Sequence, residues 1–364
     1  MIVIVQPWFS AFGHPAQSLI NLAKIIGNQK GIIYLISVML GNESVEEARC
    51  KLKLLGNTVD YAVKTPSIRE GTLYALKSLR KLFATNSSID RVFFLDAHLV
   101  LLAVLWPLYY QKNIKQLGIV YLMGPERVTR FGVIKYLIAR LLKRKEVVLF
   151  LRTEELVKDW KIAFTEASIK CLPPLEIPFD QELEVDEHLP SETIRLGVLG
   201  QIRTGKSLEW LVPLFKSNPS IGKLTVAGAF SQPAERQRLS VLEEFEGFQD
   251  KFLNEEELLK LASKQDYLLM LYDNWDHRME GAVMFLAARV NRPVIVNDKG
   301  WCGRMVKTYG NGLFAPQNHE DFTTFVNSLP KYDTKEYQKL LEGVSAFKLA
   351  HSGDSIRKAF LDAL

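Results

Sequence analysis

The sequence has little cysteine, no targeting segment and no long hydrophobic run. Its three cysteines, Cys50, Cys171 and Cys302, stand too far apart for a disulfide framework or a C-x-x-C motif. We therefore expect a protein of a reducing compartment, the cytoplasm. The N-terminus has neither a basic region nor a small-residue cleavage site, so no signal peptide is predicted. The longest apolar run, residues 99–110, is too short for a helix that crosses the roughly 30 Å of a bilayer core.

An excess of charge of one sign is also lacking. The 364 residues include 46 Lys and Arg against 41 Asp and Glu, a formal net charge of only +5. So mild an excess does not indicate nucleic-acid binding. There is no Asp-x-Asp motif, no pair of histidines at helical spacing and no cysteine cluster. We therefore expect neither a bound metal nor another cofactor.

Apolar runs alternate with helical patterns along most of the chain. Runs such as 91–95 are apolar throughout, which is typical of parallel strands covered on both faces. A stretch rich in proline and carboxylates interrupts the alternation, which then restarts. We predict two doubly wound α/β domains, divided as follows: a first domain over 1–175, a linker over 176–191, a second domain over 192–338 and a helical tail over 339–364 that packs back on the first. Because ligands of such domains bind beyond the carboxyl ends of the strands, we expect the chemistry in a central cleft that both domains face.

One segment matches a phosphate-binding loop. Residues 200–207 read GQIRTGKS, which fits G-x-x-x-x-G-K-[ST] between a predicted strand and a predicted helix, and Asp273 follows a later apolar strand. In a nucleotide hydrolase, Lys206 would contact the phosphates, and Ser207 would bind a magnesium ion. Against this interpretation, the loop carries the bulky Ile202 and Arg203, whereas a loop that cradles phosphate favours small residues.

The same residues fit a second pattern that extends over more of the chain. A strand that ends in Gly200, with Lys206 six residues on, resembles the opening of the C-terminal domain of GT-B glycosyltransferases. The resemblance is to the large retaining family, glycosyltransferase family 4, which includes many bacterial polysaccharide mannosyl- and glucosyltransferases. It continues in the same order and spacing through residues 224–228, 252–266, 272–273, 278–281 and 291–295 and through Gly300 and Gly312. In the N-terminal half, Phe12-Gly13-His14-Pro15 resembles the family's glycine turn after the first strand.

This resemblance implies a GT-B fold and a metal-independent hexosyltransferase whose donor is a nucleoside diphosphate-sugar. The residues that it places at the donor are Gly13, Gly200, Arg203, Lys206, Arg278, Glu280 and Gly281. The chain departs from the family at two points. Gln201 stands where the family usually has an arginine, for which Arg203 is a substitute. The family's two glutamates, eight residues apart, are absent, since Arg278 and Leu286 stand at their positions.

Physical chemistry supports some of these roles and leaves alternatives open. A diphosphate is held without water by cations and a helix N-terminus, and Lys206, Arg203 and Arg278 lie near two predicted helix starts. The plainer interpretation is that they are solvated loop charges. Likewise, Gly281 is either a phosphate contact or a cap glycine. Glu280 either accepts from a sugar hydroxyl or favours the helix dipole.

Three residues are candidates for catalysis. His14 lies in the turn after the first predicted strand, where it would donate to the leaving phosphate. Asp96 and His98 follow the strand at 91–95, and either would act as a base or orient the acceptor. The alternative is that the histidines are packed structural residues.

Residues 126–146 carry seven cations and two acids, a local charge of +5 that equals the net charge of the chain. Within them, the apolar residues Ile134, Leu137, Ile138 and Leu141 recur at helical spacing. A basic amphipathic helix of this kind lies on an anionic membrane surface, which would suit an acceptor built on a lipid carrier. The alternative is a domain helix with one buried face. No nucleic-acid partner is expected, because few aromatic residues are interleaved with the cations.

The patterns favour a cytoplasmic glycosyltransferase, peripheral on the inner face of the membrane. It would move a sugar from a nucleoside diphosphate-sugar to an acceptor that is either a saccharide or a saccharide linked to a lipid. Two other functions remain open. One is a P-loop nucleotide hydrolase built on residues 200–207, and the other is a non-catalytic, glycosyltransferase-like partner protein, which the missing glutamate pair favours.

Overall fold

A computed structural model describes residues 1–9, 15–27, 31–38, 43–62, 67–109, 114–172, 193–273 and 278–363. The chain divides into two compact units. The first comprises Met1–Pro178 together with Gly353–Leu364, and the second comprises Phe179–Ser352. The predicted linker at 176–191 lies outside the described residues.

Within the described residues, the first unit has a sheet of seven parallel strands. In chain order they are β1 (Ile2–Gln6), β2 (Ile32–Val38), β3 (Asn57–Ala62), β4 (Arg91–Leu95), β5 (Gln116–Tyr121), β6 (Val147–Leu151) and β7 (Ile169–Cys171). They lie in the order β3-β2-β1-β4-β5-β6-β7. The apolar runs of the sequence explain this arrangement. Val3 and Ile4 point to opposite faces of β1, and both are fully buried because both faces of the sheet are covered.

Helices connect these strands, and two of them begin at a polar side-chain cap. They are α1 (Pro15–Ile26), α2 (Glu43–Leu55), α3 (Ile68–Thr85), α4 (Leu99–Tyr109), α5 (Glu126–Thr129), α6 (Gly132–Leu142) and α7 (Glu154–Ala163). At the start of α3, the Ser67 hydroxyl accepts a hydrogen bond from the Glu70 amide at 3.1 Å. Thr153 caps α7 in the same way, by accepting from the Leu156 amide at 3.3 Å. These contacts satisfy amides that have no partner inside the helix.

The second unit has a sheet of six parallel strands among the residues described. They are β8 (Arg195–Leu199), β9 (Lys223–Gly228), β10 (Phe248–Asp250), β11 (Tyr267–Met270), β12 (Val294–Val296) and β13 (Gly312–Phe314). They lie in the order β10-β9-β8-β11-β12-β13. Both sheets thus have the order 3-2-1-4-5-6 of a doubly wound fold, extended in the first by β7.

The later helices are α8 (Leu208–Ser217), α9 (Pro233–Arg238), α10 (Glu255–Ser263), α11 (Ala282–Arg289), α12 (Gly300–Tyr309), α13 (Phe322–Asn327), α14 (Lys335–Ala350) and α15 (Gly353–Ala363). Short 3-10 turns occupy Ser240–Leu242 and His319–Asp321. The clearest local signal is at α10, where Asn254 and Glu257 form a reciprocal capping box.

The C-terminal helices are divided between the units. α14 packs in the second unit, where the Tyr337 hydroxyl donates to the Asp266 carbonyl at 2.7 Å. α15 packs in the first unit. There the ring of Phe360 lies edge-to-face on that of Phe93, with centroids 5.2 Å apart, and the Gln116 amide donates to the Ala363 carbonyl at 2.7 Å. The predicted tail, 339–364, therefore belongs partly to each unit.

In each sheet the strand order reverses beside its first strand, between β1 and β4 and between β8 and β11. Doubly wound folds bind ligands at this switch point, just beyond the carboxyl ends of the strands. β4 is followed directly by Asp96, and β8 by Gly200. Predicted site residues therefore lie at the switch points of both units.

Candidate functional site

The site in the second unit begins where β8 and β9 end in direct backbone contact. Gly200, after β8, has φ +88°, and Gly228, at the end of β9, has φ +151°. A Cβ atom on Gly228 would lie 1.8 Å from the carbonyl oxygen of Gly200. The Gly200 amide donates to the Ala227 carbonyl at 2.9 Å. Glycine is required at position 228 because a side chain there would occupy the space of the neighbouring backbone.

The segment after Gly200 is held to the protein by its own amides. The Ile202 side chain is fully buried, and its amide donates to the Ala229 carbonyl at 2.9 Å. The Thr204 amide and hydroxyl both donate to the Glu235 carboxylate, at 2.5 and 3.3 Å. The hydrogen bond from the amide is the main reason that the pKa of Glu235 is lowered. A P-loop aims successive amides at phosphate. Residues 200–207 differ from such a loop because the amides of Gly200, Ile202 and Thr204 already bind protein oxygens.

Lys206 is a buried cation at the centre of this segment. Its side chain is 7% exposed, and its ammonium donates to the Leu199 carbonyl at 3.2 Å. Burial lowers the pKa of Lys206 to about 7, and the neighbouring charge of Arg203 adds to this effect. Burial likewise lowers the pKa of Arg203, which Tyr272 and Glu235 counteract. The buried Lys206 and the half-buried Arg203 thus lie close together.

Ser207 and Asp273 join the ends of β8 and β11. Ser207 adopts a left-handed conformation with φ +57°, and its hydroxyl donates to the Asp273 carboxylate at 2.9 Å. The Asp273 amide donates to the Gly205 carbonyl at 3.0 Å. The Tyr272 amide donates to the side chain of Asn297, just after β12, at 2.7 Å. These bonds fix the loop that carries Lys206. No group of three His, Cys, Asp or Glu that could hold a metal is found among the described residues.

Arg278, Glu280 and Gly281 lead into α11, close to the same strand ends. Arg278 and Glu280 are half-buried. Gly281 is the N-cap residue of α11 and is buried. A Cβ atom there would lie 2.2 Å from the Met270 side chain and 3.1 Å from the Cys302 sulfur. Close packing against the end of β11 is therefore sufficient to explain the glycine, as the cap interpretation expects.

In the first unit, Asp96 and His98 lie between β4 and α4. Asp96 is half-buried and left-handed, with φ +59°, a conformation that is uncommon outside glycine. The His98 amide donates to the Thr72 hydroxyl at 3.0 Å, and its Nδ1 accepts from the Leu101 amide at 3.3 Å. Burial, aided by the positive charge of Arg69, lowers the pKa of His98. Neutral His98 with Nδ1 as acceptor carries its proton on Nε2, which makes it a hydrogen-bond donor rather than a base.

The structure thus brings together Gly200, Arg203 and Lys206 around one loop, and Asp96 and His98 around another. Gly13 and His14 lie outside the described residues. Sequence reasoning missed Glu235, Asn297 and Thr72. Asn297 had a usable signal, since it is a polar residue directly after an apolar strand. Glu235 and Thr72 had no such signal, because they lie 31 and 26 residues along the chain from Thr204 and His98, the residues that they contact.

No protein-family model matches the sequence, and no curated protein does. Solved structures match over the whole chain. One is a glycosyltransferase from Rickettsia africae, with 14% identity, a TM-score of 0.70 and coverage of 100% of this chain and 97% of that one. Anabaena HepE in complex with UDP and glucose has 14% identity, a TM-score of 0.65 and coverage of 100% and 98%. Sucrose-phosphate synthase from Thermosynechococcus elongatus has 13% identity, a TM-score of 0.68 and coverage of 100% and 97%.

These comparisons confirm the predicted fold class. The chain has the GT-B fold, with two Rossmann-like α/β units each built on a parallel sheet. At these identities the likeness establishes the fold and leaves the activity to be argued from the residues.

Proposed function

We propose that the protein is a glycosyltransferase that moves a hexose from a nucleoside diphosphate-sugar to a saccharide acceptor, without a metal ion. The observation that carries this proposal is the buried Lys206, with the half-buried Arg203 beside it, at the switch point of the second unit. HepE, which has the same fold, binds UDP and glucose. A nucleotide-sugar donor therefore suits both the fold and the charge of the loop.

The two cations match the chemistry of a diphosphate leaving group. When the bond between the sugar and the diphosphate breaks, negative charge develops on the phosphate oxygens. Lys206, which is buried, and Arg203, which is half-buried, stabilise that charge where electrostatic interactions are stronger than in water. An anion also relieves the mutual repulsion of the pair, so binding restores the proton affinity of Lys206. This role replaces that of a metal ion in phosphate-binding enzymes.

Arg278, Glu280 and the backbone of Gly281 are the further donor contacts that we propose. Arg278 is the third cation and Glu280 the acceptor for a ribose or sugar hydroxyl. Both are half-buried beside the start of α11, where a helix N-terminus also favours negative charge.

In the first unit, we propose that Asp96 and His98 serve the acceptor side of the reaction. The Leu101 amide holds the His98 ring through Nδ1, so the Nε2 proton is oriented to bind a sugar hydroxyl. The Asp96 carboxylate is the proton acceptor that a hydroxyl nucleophile needs. His14, which falls outside the described residues, keeps its predicted role at the leaving phosphate.

The acceptor that we propose is a saccharide on a lipid carrier, in polysaccharide assembly at the cytoplasmic face of a membrane. The support for it is the basic segment at 126–146. A lipid carrier would confine the acceptor to the surface where such a segment binds.

A second candidate is a non-catalytic protein that binds nucleotide-sugars. The observation in its favour is that Arg278 and Leu286 stand where the resembled family has two glutamates, and Leu286 is buried. A P-loop hydrolase has less support, because the amides of Ile202 and Thr204 bind protein oxygens.

The test is a panel of UDP-, GDP- and ADP-sugars in EDTA, assayed for binding by thermal shift and for release of nucleoside diphosphate. We expect one donor to bind without metal and to be consumed slowly by hydrolysis, and faster with a saccharide acceptor. Binding with no turnover for any acceptor would favour the non-catalytic candidate. Binding of ATP only with magnesium, with release of phosphate, would overturn the proposal in favour of the P-loop.

A further inference from the structure

α4 is apolar throughout, with the sequence LVLLAVLWPLY, although one side of it faces solvent. On the inner side, Leu102 and Trp106 are fully buried. On the outer side, Val104 and Leu108 are 46% and 76% exposed. A helix at the surface of a globular protein ordinarily presents polar residues to water. Among the described residues no helix is long and apolar enough to cross a membrane.

α6 packs beside α4 and carries much of the basic segment. The apolar face predicted from the sequence turns inward, where Ile138 and Leu141 are buried in the core. That face is not available to a membrane. The outer side carries a different apolar set: Phe131, just before the helix, and Val133 and Tyr136 are 58%, 74% and 65% exposed. Two neighbouring elements thus expose large apolar side chains.

The charges of α5 and α6 are almost all positive. Across α5 and α6 the exposed cations are Arg127, Arg130, Lys135 and Arg140, and Glu126 is the only acid in the sequence from 126 to 142. The Arg130 guanidinium lies 6.0 Å from the centre of the Phe131 ring, so cation and apolar ring are adjacent.

The remaining cations of the basic segment differ in their surroundings. Lys143 forms an ion pair with Glu166 at 3.0 Å, and Arg144 pairs with Glu146. Both are therefore partly neutralised by protein carboxylates. Arg130, Lys135 and Arg140 are the better choice for a test of the surface.

We infer that these elements form one docking surface for an anionic lipid bilayer. The α4–α6 surface comprises Val104, Leu108, Phe131, Val133 and Tyr136 together with Arg130, Lys135 and Arg140. A bilayer interface suits this combination, because aliphatic and aromatic side chains enter below the headgroups while cations remain among the phosphates. This inference deepens the proposed function and rests on its lipid-linked acceptor, but it is tested without donor or acceptor.

The first test is co-sedimentation of the full chain with vesicles of phosphatidylglycerol and phosphatidylcholine, compared with vesicles of phosphatidylcholine alone. We expect the parent protein to bind the anionic vesicles and to dissociate as salt is added. Reversing three charges, with Arg130→Glu, Lys135→Glu and Arg140→Glu, should weaken binding by about 100-fold or more. The matched control reverses three exposed lysines of the second unit, Lys331, Lys335 and Lys339, and should bind like the parent.

The second test removes apolar contact without changing charge. Leu108→Ser, Phe131→Ser and Tyr136→Ser replace exposed side chains, so the fold should be retained. Each should weaken vesicle binding by about tenfold or more, because each removes apolar area that would enter the bilayer. The control variants, Leu54→Ser and Ile162→Ser, change equally exposed apolar residues on other helices and should have no effect.

Unchanged sedimentation of the charge-reversal variant would overturn the inference. Failure of the parent protein to sediment with anionic vesicles would overturn it as well. Self-association of the parent that the serine variants abolish, without vesicle binding, would overturn it in favour of an interface between copies. Nucleotide binding is measured on every variant and should not change. A parent that binds nucleotide but not vesicles contradicts this inference and removes the support for a lipid-linked acceptor, but it leaves the proposed donor chemistry intact. A parent that binds vesicles but no nucleotide contradicts the proposed donor chemistry alone.

Discussion

At the scale of the residue, the site contains a buried cation and left-handed backbone conformations, both of which are unfavourable for folding. Lys206 is a cation in a buried position beside a second cation. Asp96 and Ser207, at the two switch points, adopt left-handed conformations that are uncommon outside glycine. Such features are retained at functional sites because the surrounding structure enforces them. Their coincidence with the two switch points supports the proposed site more than any single motif does.

Lys206→Met should therefore stabilise the protein while it removes function. Methionine keeps the shape of the side chain and removes a buried charge, so the free energy of unfolding at pH 7 should rise by roughly 1–4 kcal/mol. Loss of a charge-assisted contact to phosphate should weaken donor binding by very roughly 10- to 150-fold. Urea unfolding and titration with nucleotide measure the two effects.

Lys264→Met is the matched control for this substitution. Lys264 is exposed in the same unit, so both stability and donor binding should stay near those of the parent. A Lys206→Met protein that is less stable than the parent, yet binds nucleotide normally, would mean that Lys206 is a structural residue.

Asp96→Gly should also separate stability from activity. Glycine adopts a positive φ without the steric cost that Asp96 bears, so the unfolding free energy should rise by up to about 1 kcal/mol. Transfer to the acceptor should fall sharply, because the carboxylate is lost. Asp96→Asn tolerates the same backbone conformation and removes only the charge. If Asp96→Asn transfers sugar at the parent rate, Asp96 is not the base.

At the scale of the element, strand ends are held together by glycines that admit no side chain. Gly228 places the end of β9 against Gly200 after β8, and a Cβ atom on Gly71, in α3, would lie 1.7 Å from the Pro7 carbonyl after β1. In each unit the contact lies next to a switch point. The positions of the site loops therefore depend on close approach of backbone to backbone.

Gly228→Ala should destabilise the second unit by about 3 kcal/mol or more. The new methyl group would overlap the Gly200 backbone, which cannot move as a flexible side chain would, and φ +151° is itself unfavourable for alanine. Gly132→Ala, at the start of α6 with no atom within 4 Å of the new Cβ, should be neutral or slightly stabilising. Equal unfolding midpoints in urea for both variants would contradict this explanation of Gly228.

The alternation of apolar runs and helical patterns predicted both doubly wound units, because burial on two faces leaves an unmistakable apolar strand. It also located Asp96 and Gly200, since polar or glycine residues directly after such strands lie at the carboxyl edge of the sheet. It identified the apolar face of α6, but it could not decide whether that face contacts a membrane or the core, because that depends on the packing of α6 against α4. Nor could it find Glu235, whose contact with Thr204 is set by the course of the chain between them.

At the scale of the whole molecule, the C-terminal helix α15 packs in the first unit. α15 is the last helix in sequence, yet its Ile356 and Phe360 are buried in the core of the first unit with Phe93 and Phe150. The first unit therefore lacks part of its core until the C-terminus is present. The stability of the unit that carries Asp96 and His98 depends on residues beyond the second unit.

Phe360→Ala should cost the first unit about 3–5 kcal/mol of unfolding free energy, the usual effect of removing a fully buried aromatic ring. The adjacent Leu361→Ala is the control. Leu361 is 36% exposed, so its loss should cost less than about 1 kcal/mol. Urea unfolding of the two variants compares them directly, and similar costs would show that α15 does not complete the core.

The proposed function of the molecule depends on Lys206 receiving a diphosphate. Its pKa of about 7 in the free protein should rise when an anion binds, so the complex holds more protons than its components. Affinity should then be greatest below pH 7. It should fall as the pH rises above 7, by at most about tenfold per unit, until the pKa of the complex is passed.

The most direct measurement is calorimetric titration of UDP, GDP and ADP in EDTA between pH 7 and 9, in buffers of different ionisation enthalpy. The parent protein should bind one of these nucleotides without metal and take up close to one proton near pH 8, and its affinity should decline as the pH rises. Lys206→Met should bind weakly and show neither proton uptake nor this pH dependence. Metal-free binding that is equally tight in both proteins and independent of pH would contradict the assignment of Lys206 to the diphosphate.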